Sequence, residues 1–149
     1  MLKVLLGTQA GWPALFLRLA LGALFFAHGS QKVFGWFGGH GLAGTYDGFV
    51  QMGIPGVFAA LAIAAEFLGG IGLILGFLTR VAAFGIFCVM AVAVYMVHWQ
   101  HGFFMNWFGQ MPAGQEGFEF HVLAIGMALA LMAGGGGKLS VDGAVARRR

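Results

Sequence analysis

Charge is what this sequence has least of. Eight Lys and Arg and five Asp and Glu amount to 9% of 149 residues. A water-soluble domain carries about 25% charged residues, because its surface must face water. A soluble domain is therefore excluded. Cysteine is nearly absent as well. Cys88 alone rules out an internal disulfide and any Cys-x-x-Cys redox or zinc motif. The shortage of apolar residues that marks a disordered chain is not found either. Hydrophobic residues make up 60% and aromatics 15% of the chain, and its mean hydropathy is +0.87. These values describe an integral membrane protein. A pI near 9.5 would suit a nucleic-acid binder. The basic residues, however, are dispersed at the ends of apolar stretches, as membrane orientation requires, so no nucleic-acid partner is expected.

A membrane-crossing helix needs about 20 apolar residues. The length therefore predicts an all-α bundle of four transmembrane helices, one membrane domain over residues 1–149 with no soluble domain. The spans fall at about residues 13–34, 57–77, 81–99 and 118–137. The apolar part of the last ends near Ala133, so it must draw on the glycines that follow to cross a core about 30 Å thick. The first is not a cleavable signal peptide, because Arg18 interrupts its apolar region. Four spans place both termini and the Thr79-Arg80 turn on one side. That side collects Lys3, Arg80, Lys138, Arg147, Arg148 and Arg149, against Lys32 alone on the other. Both termini are expected in the cytoplasm.

The outer connections, residues 35–56 and 100–117, are rich in glycine and carry Trp36, Phe37, Phe103, Phe104, Trp107 and Phe108. In the first, Leu42, Tyr46, Phe49, Val50 and Gly53 fall at helical spacing. Either a short amphipathic helix lies in the interface there or the aromatics form an anchoring belt. Within the second span, Gly72-x-x-x-Gly76 is a small-residue seam that lets helices approach and offers a surface for a homodimer.

An ionisable group at membrane depth costs about 2.5–3.5 kcal/mol on insertion scales, so each needs a partner or a purpose. They are few: Arg18, His28 and Lys32 in the first span, Glu66 in the second, His98 at the end of the third, Glu119 and His121 at the start of the fourth. At 100° per residue, Arg18, Phe25, His28 and Lys32 share an arc of about 80°, so one face of the first helix is polar from end to end. Arg18, extended outward, can pair with Glu66 near mid-span as a structural ion pair. Alternatively Glu66 is a proton or ligand site that Arg18 tunes. At the outer level three helices deliver His28, Lys32, His98, Glu119 and His121 to one layer. The layer suits a quinone headgroup, which needs hydrogen-bond donors and a proton relay. Haem or metal is disfavoured, since no close His/Glu pair recurs on one helix face, and Glu119 and His121 point to different faces. The plain alternative is that these side chains reach the interface or satisfy loop backbone.

The chain resembles the DoxX family of small four-helix bacterial membrane proteins. The resemblance rests on Arg18, the run His28-Gly29-Ser30-Gln31-Lys32-Val33-Phe34 and Met52-Gly53-Ile54-Pro55. It continues through Glu66 with Gly69-Gly70, Gly76-Phe77-Leu78-Thr79-Arg80-Val81-Ala82-Ala83, and the closing Gly135-Gly136-Gly137-Lys138-Leu139-Ser140-Val141-Asp142. Gly136 stands where the family more often has proline. The family is related to the thiosulfate:quinone oxidoreductase large subunit, and other members are linked to thiol and oxidative-stress systems. The resemblance thus implies a protein of the bacterial inner membrane with quinone-linked redox work and a soluble redox partner subunit.

The reading is a quinone-linked oxidoreductase or the membrane subunit of a thiol/sulfur redox complex. His28, Lys32, His98 and Glu119 are the candidate catalytic residues; His28, Lys32, Glu66 and Arg18 would hold the quinone; no metal is expected. Membrane lipid, a soluble subunit and a second copy of the chain are the expected partners. Two alternatives belong to other classes: a small proton-coupled transporter centred on Glu66, and a scaffold that docks a soluble enzyme at the membrane.

Overall fold

The computed structural model of the protein describes residues 7, 11–112 and 114–147. Lys3, Arg148 and Arg149 of the orientation count lie outside them. The described residues form helices and turns, with no strand among them. Helix α1 is Trp12–Phe34, α2 Gly41–Gln51, α3 Gly56–Leu75, α4 Thr79–Ala93, α5 Glu119–Gly134 and α6 Val141–Arg147. α4 runs on through a π turn, Val94–His98, and a 3-10 turn, Trp99–His101. Three helical runs are long and apolar enough to cross a membrane: Trp12–Phe34, Gly56–Leu75 and Thr79–His101. α5 is apolar but has 16 residues, about 24 Å at the helical rise. The glycines beyond do not lengthen it. Gly135 and Gly137 adopt φ of 75° and 68° and turn the chain away, so the expected stretch to residue 137 ends at Gly134.

α1 packs on α3, α3 on α4, α4 on α5, and α5 returns to α1, closing a ring of four helices. Leu21, Phe25, Leu73, Ile86, Ala124 and Leu131 fill its centre. α1 and α3 touch backbone to backbone through glycine. A Cβ on Gly29 would lie 2.4 Å from Phe67 Cα, and one on Gly70 would lie 2.5 Å from Phe26 N. Apolar side chains gain little from meeting each other in lipid, so such close contact is what holds two membrane helices together. The seam expected at Gly72 and Gly76 is not an external surface. Gly72 packs toward the α3–α4 turn, and Gly76, at φ 66°, caps α3 with Ser140 and Arg18 beside it.

The helices are tied together at the end where α1 begins and α6 lies. Arg18 is 1% exposed. Its Nε donates to Gly136 O (3.0 Å), Nη1 to Leu73 O (3.2 Å) and Ile74 O (2.6 Å), and Nη2 to Lys138 O (3.1 Å) and Leu139 O (2.5 Å). Leu73 and Ile74 belong to the last turn of α3, whose carbonyls have no partner within the helix and favour a cation. One guanidinium therefore joins α1, the end of α3 and the loop after α5. Asp142 works in the opposite sense. Its carboxylate accepts from Leu78 N at 2.8 Å and Thr79 N at 2.9 Å, capping the start of α4 from the far end of the chain. Arg80 adds bonds to the carbonyls of Gly7 and Met132.

Two measurements of thermal unfolding in one detergent check this frame. Arg18→Lys keeps the charge but not the planar fork, and is expected to cost about 2 kcal/mol or more as carbonyls lose donors. Gly29→Ala should cost about 1–3 kcal/mol by overpacking. Gly126→Ala, where a Cβ meets nothing within 4 Å, should be neutral or slightly stabilising. Equal melting of the two glycine variants would show that the α1–α3 contact is not tight.

Candidate functional site

Toward the other end the ring opens. A cavity of about 1160 Å³ lies among α1, α3, α4 and α5, with α2 and the α2–α3 connection alongside it. Most of its wall is apolar. The polar exceptions are His28, Lys32, Glu66, His98, Glu116 and His121. Four of the six candidate site residues, His28, Lys32, Glu66 and His98, thus meet in one space. Arg18 and Glu119 are not among its wall residues.

The expected Arg18–Glu66 pair does not form. Gly29 rests on Phe67, which sets the level at which α1 passes α3. Lys32, three residues beyond Gly29, meets Glu66 with Nζ 2.7 Å from Oε2. Arg18 lies eleven residues before Gly29, about 16 Å away along the axis. It therefore serves the opposite end. Glu66 is 3% exposed, and a carboxylate so buried requires its cation nearby.

The histidines come from two local devices. The π turn Val94–His98 adds a residue to the last turn of α4, and such turns recur where a side chain must be re-aimed. His98 Nδ1 sits 2.7 Å from the carbonyl of Glu116. A carbonyl only accepts, so the Nδ1 proton is the one this contact uses. His121 stands in the first turn of α5, its ring centroid 4.1 Å from that of His98. It is 6% exposed, and its Nδ1 is buried with no hydrogen-bond partner. Buried polar groups are nearly always satisfied, so this nitrogen stands out in a ring that itself lines the cavity. His28 stands between the rings of Phe25 (6.4 Å) and Phe120 (6.2 Å), facing the same space.

Glu119, expected to move protons, stands outside the cavity wall and bonds the α4–α5 loop. Its Oε2 accepts from Met105 N (3.1 Å) and Trp107 Nε1 (3.0 Å), pinning the α4–α5 loop. His121 is not among the candidate catalytic residues that the sequence marks, because helical spacing alone does not say what its face meets. The signal was present: His121, Ala124, Ala128 and Leu131 recur at helical spacing and are the buried side of α5. Cys88, read only for its solitude, lies in the cavity wall on α4. Among the described residues no group of three or more His, Cys, Asp or Glu side chains is placed to hold a metal ion.

Fold and cavity together define an α-helical membrane protein with a large, mostly apolar cavity that carries a polar cluster at one end of the helix ring. The chain belongs to the DoxX family, whose sequence model matches residues 14–99. That stretch carries Arg18, His28, Lys32, Glu66 and His98, while His121 follows it. The chain is similar to the inner membrane protein YqjF of Escherichia coli (strain K12), 38% identical over 66 residues, which are 44% of this chain and 46% of that protein. It is also similar to a Bacillus subtilis (strain 168) protein named "Putative oxidoreductase CatD", 34% identical over 67 residues, 45% and 46% of the two chains. The aligned region is thus about half the length of each relative. No solved structure matches the chain.

The Lys32–Glu66 pair yields a double-mutant test by thermal unfolding. Lys32→Met alone leaves a buried carboxylate unpaired and should cost about 3–5 kcal/mol. Adding Glu66→Leu should recover most of that loss. A double variant as unstable as the single one would mean that the pair is not what fixes α1 against α3.

Proposed function

We propose that the chain is a four-span, multi-pass protein of the bacterial plasma membrane with both termini in the cytoplasm. In this reading α5 crosses as the fourth span despite its length, and residues 1–149 form one membrane domain. The pocket then opens toward the outer face. Arg80, Lys138 and Arg147 support the orientation, since all three gather at the end opposite the pocket.

Its function is that of a quinone-linked oxidoreductase, or of the membrane subunit of a thiol/sulfur redox complex. The observation that carries this is the pairing of His98 and His121, ring centroids 4.1 Å apart, in the wall of a mostly apolar cavity, with His121 Nδ1 lacking a hydrogen-bond partner. A quinone, when bound, supplies a two-electron, two-proton acceptor with two carbonyl oxygens. His121 and His28 are the groups that would hydrogen-bond those oxygens, and the Lys32–Glu66 pair would hold charge balance beside them. Oxidation of two thiols to a disulfide releases two protons and two electrons, which matches that demand. The thiols must come from a partner, because Cys88 has no second cysteine. Glu119 drops out of the proposed proton path because it lies outside the cavity wall with Oε2 bonded to the α4–α5 loop, and Arg18 out of the proposed ligand set because its three nitrogens all serve backbone carbonyls. The transporter centred on Glu66 gains less support, because Lys32 already neutralises that carboxylate.

Mass spectrometry of the organic extract from protein purified in mild detergent tests the reading. Wild type is expected to carry quinone near one per chain. His28→Ala and His121→Ala, melting within a few degrees of wild type, are expected to carry at least tenfold less. No quinone in wild type, or the same trace in all three, would remove the pocket as a tight quinone site.

A further inference from the structure

The cavity is polar only at its head. Away from the histidines it continues between α3 and α4, along Phe58, Leu61 and Ala62 on one helix and Phe84, Val92 and Met96 on the other. Several of these wall residues are largely exposed: Phe58 is 62% exposed, Leu61 58%, Phe84 53% and Val92 47%. Exposure so large on residues that line a cavity means that the cavity is open where they stand. The opening therefore lies on the side of the bundle, between two helices that are each long and apolar enough to cross a membrane. In a bilayer that side faces acyl chains, not water.

The α3–α4 contact explains the shape. The two helices join through the short turn at Gly76–Leu78 and still touch at mid-height, where a Cβ on Gly85 would lie 3.1 Å from Ala65 Cβ. Beyond that level small side chains, Ala62 and Ala93, leave a trough where larger ones would fill it. A volume of about 1160 Å³ also exceeds what one ring needs, ligand pockets for whole drug-sized molecules being about 300–1000 Å³.

We propose that this trough takes the apolar tail of a long-chain amphiphile drawn sideways from the bilayer, with its polar head at His121. The occupant is matched by polarity. A hydrogen-bonding head fits the histidine layer in the cavity wall, and a hydrocarbon or isoprenoid tail fits the α3–α4 walls. Identification of the head as a quinone rests on the function proposed above; the sideways route for the tail rests on the trough alone. Soluble substrates would have no use for an opening that faces lipid.

The full chain in lipid nanodiscs is titrated with decylubiquinone and with the same dimethoxy-methyl-benzoquinone ring lacking a tail, followed by tryptophan quenching and expressed as mole fraction in the membrane. The tailed probe is expected to bind at least tenfold more tightly. Ala62→Phe, which fills the trough, should weaken the tailed probe at least tenfold and the bare ring less than twofold. Leu68→Phe, on the exposed face of α3 away from the trough, should change neither. Equal binding of both probes, or an unchanged tailed probe in Ala62→Phe, would overturn the proposal. If neither ring binds, the quinone reading fails by itself, and a photoactivatable ten-carbon alcohol then decides the trough. Adducts on α4 near Val92 and Met96 that excess decanol removes and Ala62→Phe abolishes would sustain it. Adducts insensitive to both would end it.

Discussion

A single buried guanidinium sets the geometry on which the rest of this bundle depends. Arg18 sits inside an apolar helix, where an unpaired charge would be untenable, and it is satisfied by five backbone carbonyls and no carboxylate at bonding distance. Those carbonyls come from the last turn of α3 and from the loop after α5. The α3 carbonyls lack their full set of helical partners and the loop carbonyls lie outside any helix, so in a water-poor setting they need a donor as the guanidinium needs acceptors. Each side removes the other's penalty. The result fastens three parts of the chain that lie 55 to 121 residues apart.

With that end locked, the glycine contacts decide how the helices run toward the other end. α1 and α3 stay in backbone contact through Gly22, Gly29 and Gly70, which places Lys32 against Glu66. α4 meets α3 closely at Gly85 but carries small residues beyond it, and α4 ends in a π turn that brings His98 to His121. The cavity is what remains where close packing stops. Its polar groups sit on helices that are held rigidly elsewhere, so they can be left incompletely satisfied without loss of the fold. This division between a tied end and an open end suits a site that exchanges a ligand.

The closing run Gly135 to Asp142 shows how a motif can be read correctly as a pattern and still hide its purpose. Three of its carbonyls serve Arg18, Ser140 Oγ bonds Gly137 O at 2.8 Å and receives Gly143 N at 3.0 Å, and Asp142 caps α4. Gly136 fits this crowd because a Cβ there would lie 2.8 Å from both Ser140 Cβ and Thr79 Oγ1. The run is therefore a structural hub that completes three helix ends, and no part of it reaches the cavity. Glu119 is a comparable case, since a carboxylate at the level of the histidines turns out to pin the loop beside them.

The sequence alone determined the things that depend on composition and on spacing within one helix. Scarce charge and long apolar runs dictated membrane helices, and helical spacing put His28 and Lys32 on one face, while the helix at Gly41–Gln51 was one of two readings that the sequence left open. The short inventory of ionisable residues confined any candidate site to a handful of positions. Tertiary structure decided which of them meet. The partner of Glu66, the engagement of Arg18, the place of Glu119 and the orphaned nitrogen of His121 all depend on the level and rotation of one helix against another. Those are set by backbone contacts at single glycines and by one extra residue in a π turn. Such differences of a few ångströms and one residue leave no periodic trace in a sequence, because hydrophobic pattern records which face is buried and not what lies opposite it.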